Sequence, residues 1–149
     1  LRTLLVLTSG RLKAFLRMTI VQLNKTMIIG IGTDVVQIER IEKLYEKFGN
    51  RFLSKNYHEL EIEIFHKLNP QKKVLFLAKR FAGKEAVAKA FGSGIGQDFS
   101  FKDIAIINDK LGAPIVKIAG ESMKNSDYKI HISLSDDYPI ALAFAVVSD

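Results

Sequence analysis

The chain contains no cysteine. A disulfide framework, a thiolate metal site and a cysteine nucleophile are therefore excluded. With 149 residues, of which 48% are hydrophobic, the sequence predicts one domain that is large enough to bury a core and too apolar for disorder.

The first 26 residues lack both acidic side chains and a long apolar run. The segment LLVL is too short for a secretory or membrane-spanning segment, and no small-residue cleavage pattern follows it. Of the net charge of +6, five charges lie here, which leaves +1 for residues 27–149 and weakens a nucleic-acid interpretation. We expect residues 1–26 to be a basic extension outside the fold and residues 27–149 to form the domain. An over-extended start is favoured over a transit peptide.

Complete phosphate-binding loops are also missing. GIGTDV lacks the third glycine of a dinucleotide fingerprint, because Val35 stands in its place. GSGIG follows a predicted helix instead of leading into one, and no Gly-Lys-Ser/Thr sequence ends it. Glycines in that position are typical of a helix C-terminal cap.

Hydrophobic periodicity predicts a buried strand at MIIGIGTD, a helix at VVQIERIEKLYEKF that ends at Gly49, and a second helix at YHELEIEIFHKL. A long helix is predicted from Pro70 to about Phe91. The later segments DIAIIND, PIVKIA, KIHISLS and IALAFAVV predict strands. Because helices cluster in the first half and strands in the second, we expect an α+β fold with a largely antiparallel sheet.

Two carboxylates have ordinary structural explanations when they are taken singly. Asp34 fits the N-cap of a following helix, because Gln37 lies three residues on. Glu85 and Lys89 fit an exposed i,i+4 ion pair worth about 0.2 to 0.5 kcal/mol. Taken together, however, Asp34 and Glu85 are the hard oxygen ligands that Mg²⁺ takes when phosphates and water complete its shell. The long helix would present two adjacent charged rows, Arg80 with Lys84 and Glu85 with Lys89.

Three stretches in order, GIGTDVVQIERI, RFAGKEAVAKAFGSGIG and HISLSDD, resemble the holo-acyl-carrier-protein synthase family of 4'-phosphopantetheinyl transferases. The resemblance covers residues 27–147. It implies Mg²⁺-dependent transfer of the phosphopantetheine arm of coenzyme A to a serine of an apo acyl carrier protein, with release of adenosine 3',5'-bisphosphate. It further implies an enzyme of fatty acid biosynthesis that forms a homotrimer with active sites between subunits. A cytoplasmic location is expected from the lack of cysteine, which favours the cytosol without fixing the compartment.

The same resemblance assigns roles to individual residues. Asp34 and Glu85 would hold Mg²⁺, and both would act in catalysis together with Lys89. Arg40 would meet the acidic carrier protein. One position departs from the family pattern, since Asp136 stands where a histidine is usual, and no role is assigned to it. The residues expected around coenzyme A are Arg80, Lys84, Lys89, Gly92 and Ser93.

Two alternatives of other classes remain at this point. One is a non-catalytic module whose charges in residues 80–89 dock an acidic protein without a metal. The other is an RNA-binding domain, which the nearly neutral body and the lack of an aromatic and basic motif argue against. No nucleic acid or membrane partner is expected.

Overall fold

A computed structural model describes residues 26–92, 95, 100–119 and 128–149, so almost all of the basic extension lies outside the described part. Strand β1 (Ile28–Gln37) leads into helices α1 (Ile38–Phe48), α2 (Asn50–Asn56), α3 (Glu59–Lys67) and α4 (Pro70–Ala90). A 3-10 turn (Phe101–Asp103) then precedes β2 (Ile104–Asn108), β3 (Pro114–Ile118), β4 (Lys129–Asp137) and β5 (Ile140–Ser148). The predicted α+β fold is confirmed.

The described strands form two antiparallel sheets. One has the order β1–β5–β4, and the other is the hairpin of β2 and β3. β5 therefore lies in the middle of the larger sheet, with the first strand of the domain on one edge and β4 on the other. Within the described ranges, no helix is long and apolar enough to cross a membrane.

The helix boundaries differ from the sequence prediction in two places. β1 continues to Gln37, where it is still paired with Ile140 of β5, so α1 begins only at Ile38. The seven-residue helix α2 was not predicted. Two other boundaries agree with the sequence prediction. Gly49, at φ 50°, ends α1, and Pro70 occupies the first turn of α4.

The long helix α4 packs on the inner face of the larger sheet. Ala141, Ala143 and Ala145 alternate along β5 and are completely buried beneath it. Gly83 of the helix faces β4 and β2, where an added methyl group would lie 3.1 Å from Leu134. Small residues on both surfaces therefore allow the helix backbone to lie close to the sheet.

The outer face of the same sheet remains exposed in the single chain, contrary to the expectation that β1 is buried throughout. Ile31 and Val35 on β1 are 57% and 53% exposed, and Leu142 and Phe144 on β5 are 38% and 43% exposed. Val35 pairs with Leu142 across the two strands, so these side chains form one continuous apolar surface. Only the alternate residues of β1 face α4.

Candidate active site

Glycine brings strand β1 and helix α4 into contact. A methyl group at Gly32 would overlap the carbonyl oxygen of Ala86 and lie 2.6 Å from the Ala90 nitrogen, and one at Gly30 would overlap the Ala90 carbonyl group. No side chain fits at either position without moving the helix. Since side chains alternate along a strand, Asp34 lies on the same face as the two glycines and next to the helix.

Asp34 and Lys89 form an ion pair across this contact. Lys89 Nζ lies 2.8 Å from Asp34 Oδ1 and also donates a hydrogen bond of 3.1 Å to the Thr33 carbonyl oxygen. The Asp34 side chain is 18% exposed and that of Lys89 is 52% exposed. The interpretation of Asp34 as a helix cap is wrong, because the residue lies inside β1 and the N-cap of α1 is Gln37. Lys89 forms its ion pair with Asp34 and not with Glu85.

Glu85 lies one helical turn before Lys89 and belongs to the same group of charges. Burial, and then the negative charge of Asp34, raises the pKa of the Glu85 carboxyl group, while Lys89 and Arg40 oppose this shift. The structure thus brings together four residues that were singled out in the sequence. They are Asp34 on β1, Glu85 and Lys89 on α4, and Arg40 on α1. Two carboxylates close enough to repel each other form a site that a cation stabilises.

The donor set fits Mg²⁺. Within the described ranges, no group of three or more histidine, cysteine or acidic side chains is positioned to enclose a metal. Mg²⁺ does not need such a group, because it binds through one or two carboxylates and keeps sites for water and substrate phosphates. Asp34 and Glu85 supply two carboxylates, and the half-exposed Lys89 leaves the site accessible.

A second group of cations lies on another side of α4. A cavity of about 580 Å³ opens between α3, α4 and the end of β2. Within it, Arg80 donates hydrogen bonds to the Ile106 carbonyl oxygen and to Asn108 Oδ1, and its guanidinium group lies 4.3 Å from the centre of the Phe76 ring. We call this the cation cavity; its lining includes Lys72, Leu75, Phe76, Lys79, Arg80 and Asn108.

Lys84, which was expected beside Arg80 in one charged row near coenzyme A, does not line this cavity. Its side chain is completely buried and forms an ion pair of 2.5 Å with the equally buried Glu61. Lys84 Nζ also donates hydrogen bonds to the carbonyl oxygens of Asn56 and Phe101. Burial lowers the pKa of Lys84, although Glu61 opposes the shift. In this structure its charge is neutralised inside the protein and is not available to a nucleotide.

Glu61 was not identified from the sequence, although it organises this buried region. Its Oε1 atom accepts a hydrogen bond from the Ile106 backbone nitrogen, and its Oε2 atom accepts one from the His58 nitrogen. It therefore joins the start of α3 to β2 and α4. In the sequence it is one of three glutamates in ELEIE, and its burial depends on contacts that are distant along the chain.

The glycine segment after α4 is described only in part. Gly92 adopts φ 72°, a left-handed conformation that suits a helix end. Ser93, also expected near coenzyme A, lies outside the described residues.

Comparison with known proteins defines the class. Residues 30–143 match the family model described as the 4'-phosphopantetheinyl transferase superfamily, ACPS. The chain belongs to this superfamily, and the expected family and kind of enzyme are confirmed. Within it, the chain is 48% identical over 128 residues to the holo-[acyl-carrier-protein] synthase of Orientia tsutsugamushi (strain Ikeda), an alignment that covers 82% of this chain and 98% of the relative.

Solved structures of such synthases have the same fold. The enzyme from Neisseria meningitidis is 40% identical with a TM-score of 0.74, over 83% of this chain and 100% of that chain. The enzyme from Bacillus anthracis str. Ames, in complex with CoA (3',5'-ADP), is 36% identical with a TM-score of 0.72, over 83% and 98% of the two chains. The Helicobacter pylori enzyme, in complex with coenzyme A, is 36% identical with a TM-score of 0.69, over 78% and 98%.

Proposed function

We propose that the chain transfers the 4'-phosphopantetheine group of coenzyme A to a serine of an apo acyl carrier protein and releases adenosine 3',5'-bisphosphate. The observation that carries this proposal is the approach of Asp34 and Glu85 beside Lys89. Relatives that are synthases of this kind, two of them solved with coenzyme A or its nucleotide, support it. Cytoplasmic location and a role in fatty acid biosynthesis belong to the same proposal.

The residues at β1 and α4 suit phosphoryl transfer, which depends mainly on positioning and on cancelling charge. Asp34 and Glu85 would hold Mg²⁺, which when bound neutralises charge on the pyrophosphate. Lys89 supplies a second positive charge next to the Asp34 carboxylate. The attacking hydroxyl group belongs to the carrier protein, so the chain needs no nucleophile of its own.

Glu85 is the proposed general base. Its carboxylate belongs to the same group of charges as Asp34 and Lys89, so it lies where the attacking hydroxyl group would meet the pyrophosphate. It takes the proton of the serine hydroxyl group as the serine oxygen forms a bond to the phosphorus that carries pantetheine. The bond from that phosphorus to the bridging oxygen breaks, and adenosine 3',5'-bisphosphate leaves with the electron pair.

The cation cavity is the proposed site for the phosphorylated adenosine half of coenzyme A. Lys72, Lys79 and Arg80 supply positive charge, and Ile64, Leu68 and Leu75 supply apolar surface. A volume of about 580 Å³ is within the range of small-molecule sites. Because the pyrophosphate is assigned to the carboxylate pair, the phosphate on the ribose is the anion left for this cavity.

The basic face of α1 is the proposed docking surface for the carrier protein. Arg40, Lys43 and Lys47 lie at i, i+3 and i+7 and line a shallow groove of about 320 Å³. Glu39 also lines it and forms an ion pair with Lys43, so Arg40 and Lys47 are the two cations there without that partner. Arg40 is also close enough to Glu85 to affect its pKa. A carrier bound to this face would therefore be held next to the proposed base.

Two observations support a homotrimer with active sites between copies. Glu85 and Arg80 are five residues apart on α4, which separates them by about 140° around the helix axis. One coenzyme A molecule would have to pass around the helix to reach both groups in one copy, whereas a neighbouring copy can supply the second half. The exposed apolar face formed by Ile31, Val35, Leu142 and Phe144 is suited to burial against such a copy.

Transfer itself is tested by incubating the full chain with coenzyme A and an apo acyl carrier protein, with MgCl₂ or with EDTA. Mass spectrometry of the carrier should show one added phosphopantetheine group only with Mg²⁺, and chromatography should show adenosine 3',5'-bisphosphate. An unmodified carrier at saturating substrates and Mg²⁺ would contradict the proposal.

The proposal that each active site is shared between two copies of the chain is tested by mixing subunits. Asp34→Asn removes the carboxylate half, and the double variant Lys72→Met/Lys79→Met weakens the cavity half. Random mixed trimers, assayed at low coenzyme A, should regain about a quarter of the wild-type rate, because one subunit contact in four joins two intact halves. A rate no higher than the average of the two variants measured separately would show that each copy uses only its own residues.

A further inference from the structure

One lysine of the cation cavity has an acidic partner within the protein. Lys79 Nζ lies 2.5 Å from Oδ1 of Asp136, and the two side chains are 28% and 27% exposed. Asp136 lies near the end of β4, paired with Ala141 of β5. This carboxylate, in the segment HISLSDD, forms its ion pair with a cation that lines the cavity.

Two of the α4 cations that line the cavity, Lys79 and Arg80, are held differently. Arg80 is buried, and its guanidinium group is fixed by the Ile106 carbonyl oxygen, by Asn108 and by the Phe76 ring. Lys79 is held through its pair with Asp136, which is partly exposed. Partly exposed pairs of this kind are weak, since water screens the attraction and a long side chain loses freedom. Lys79 is therefore the cation that can exchange its partner.

We propose that Asp136 is an internal competitor for Lys79 that sets the affinity of the cation cavity for the ribose phosphate of coenzyme A. Without nucleotide, Lys79 is neutralised by Asp136. When the phosphate enters, Lys79 turns towards it, and the unpaired Asp136 carboxylate remains nearby and repels the ligand. This inference rests on the proposed function, because it assumes that the cavity receives the phosphorylated nucleotide.

Each substitution at this pair should change the affinity for coenzyme A in a definite direction. Removing the carboxylate with Asp136→Asn frees Lys79 and removes a negative charge, so binding of coenzyme A should become several-fold tighter. Removing the cation with Lys79→Met should weaken binding several-fold. In the double variant, Asp136→Asn should recover little, because its benefit depends on Lys79. An analogue without the ribose phosphate, 3'-dephospho-coenzyme A, should be nearly indifferent to these changes.

The experiment is isothermal titration calorimetry of the full chain with coenzyme A and with 3'-dephospho-coenzyme A, at low and high ionic strength. Asp137→Asn, at the exposed neighbouring carboxylate, is the matched control and should change affinity less than Asp136→Asn. The gain from Asp136→Asn should shrink as salt rises. Melting temperatures establish that each variant is folded.

The possible outcomes distinguish a failure of the competition at Asp136 from a failure of the proposed function. If wild-type protein binds coenzyme A and Asp136→Asn binds it equally or more weakly, the competition is refuted while the proposed function stands. Equal gains for both nucleotides, or an equal gain with Asp137→Asn, would also refute it, because the effect would then be general charge. If wild-type protein binds neither nucleotide, the proposed function fails and this inference fails with it.

Discussion

Lys89 Nζ lies 2.8 Å from Asp34 Oδ1, and this ion pair joins the C-terminal half of the long helix α4 to β1, the first strand of the domain. The contact exists because Gly30 and Gly32 let the backbone of α4 lie directly against β1. The charged site and the close packing of helix on strand are therefore one structural feature, and changes to either should affect both.

Gly32→Ala tests this dependence. The new methyl group would overlap the Ala86 carbonyl oxygen, so α4 must shift away from β1. We expect a loss of about 1 to 3 kcal/mol in unfolding free energy and a large loss of transfer rate in the protein that remains folded. Urea unfolding and the transfer assay measure the two effects. Gly49→Ala is the control for the rate: it should also lower stability, because Gly49 adopts φ 50°, but its methyl group has no neighbour within 4 Å and should leave the site intact. An equal loss of rate in the folded protein there would contradict the account.

The buried pair of Lys84 and Glu61 should be important for stability. Lys84→Met leaves the Glu61 carboxylate buried without its cation, which should cost about 3 to 5 kcal/mol of unfolding free energy. Adding Glu61→Gln removes the unpaired charge and should recover part of that loss. Chemical denaturation measures both variants. A single variant as stable as wild type would show that this pair does not hold α3 and α4 together.

Glu85→Gln should raise stability at neutral pH in Mg²⁺-free buffer. The folded protein raises the pKa of Glu85 above its ordinary value of 4.5, so ionisation of this group opposes folding. The advantage of the glutamine variant should be full above the raised pKa and should vanish as pH falls below 4.5. Thermal melts from pH 3 to 8 measure it. A variant that is less stable than wild type at pH 7 would contradict the site electrostatics.

Added Mg²⁺ should make wild-type protein more stable than Glu85→Gln, the reverse of the order expected without the metal. A ligand that binds only the folded state raises the melting temperature, and wild-type protein has the full carboxylate pair. We therefore expect added MgCl₂ to stabilise wild-type protein and to have little effect on Glu85→Gln. Equal shifts in the two proteins would indicate binding elsewhere.

A shortened chain that begins at Met27 should fold and remain active. Met27 is tied to the other end of the domain, since its nitrogen donates to Asp149 Oδ1 at 2.6 Å and its carbonyl oxygen accepts from the Asp149 nitrogen at 3.2 Å. The family match begins only at residue 30. We expect a change of less than about 1 kcal/mol in unfolding free energy and an unchanged transfer rate. An insoluble or inactive shortened chain would show that residues 1–26 are structural.

The sequence predicted the parts of this molecule that depend on local pattern. Nearby residues determine the length of α4, the turn at Gly49 and the alternation along β4. The residue types of Asp34 and Glu85 suggest their chemistry. Asp34 could not be placed in a strand in this way, because β1 is extended by pairing with β5 more than 100 residues later. Lys84 and Lys89 are equally charged in the sequence, and only the packing of α3 and β1 separates a buried pair from an accessible site.

The measurement that tests the central claim most directly is the rate of phosphopantetheine transfer as a function of Mg²⁺ concentration for Asp34→Asn and Glu85→Gln. Each substitution removes one charge with almost no change of shape, and Glu63→Gln, on the exposed side of α3, is the matched control. The account predicts that both site variants are folded, lose activity by orders of magnitude and depend only weakly on Mg²⁺, while the control behaves as wild type. If both site variants keep most of the wild-type rate at limiting Mg²⁺, these carboxylates are structural and the proposed site is wrong.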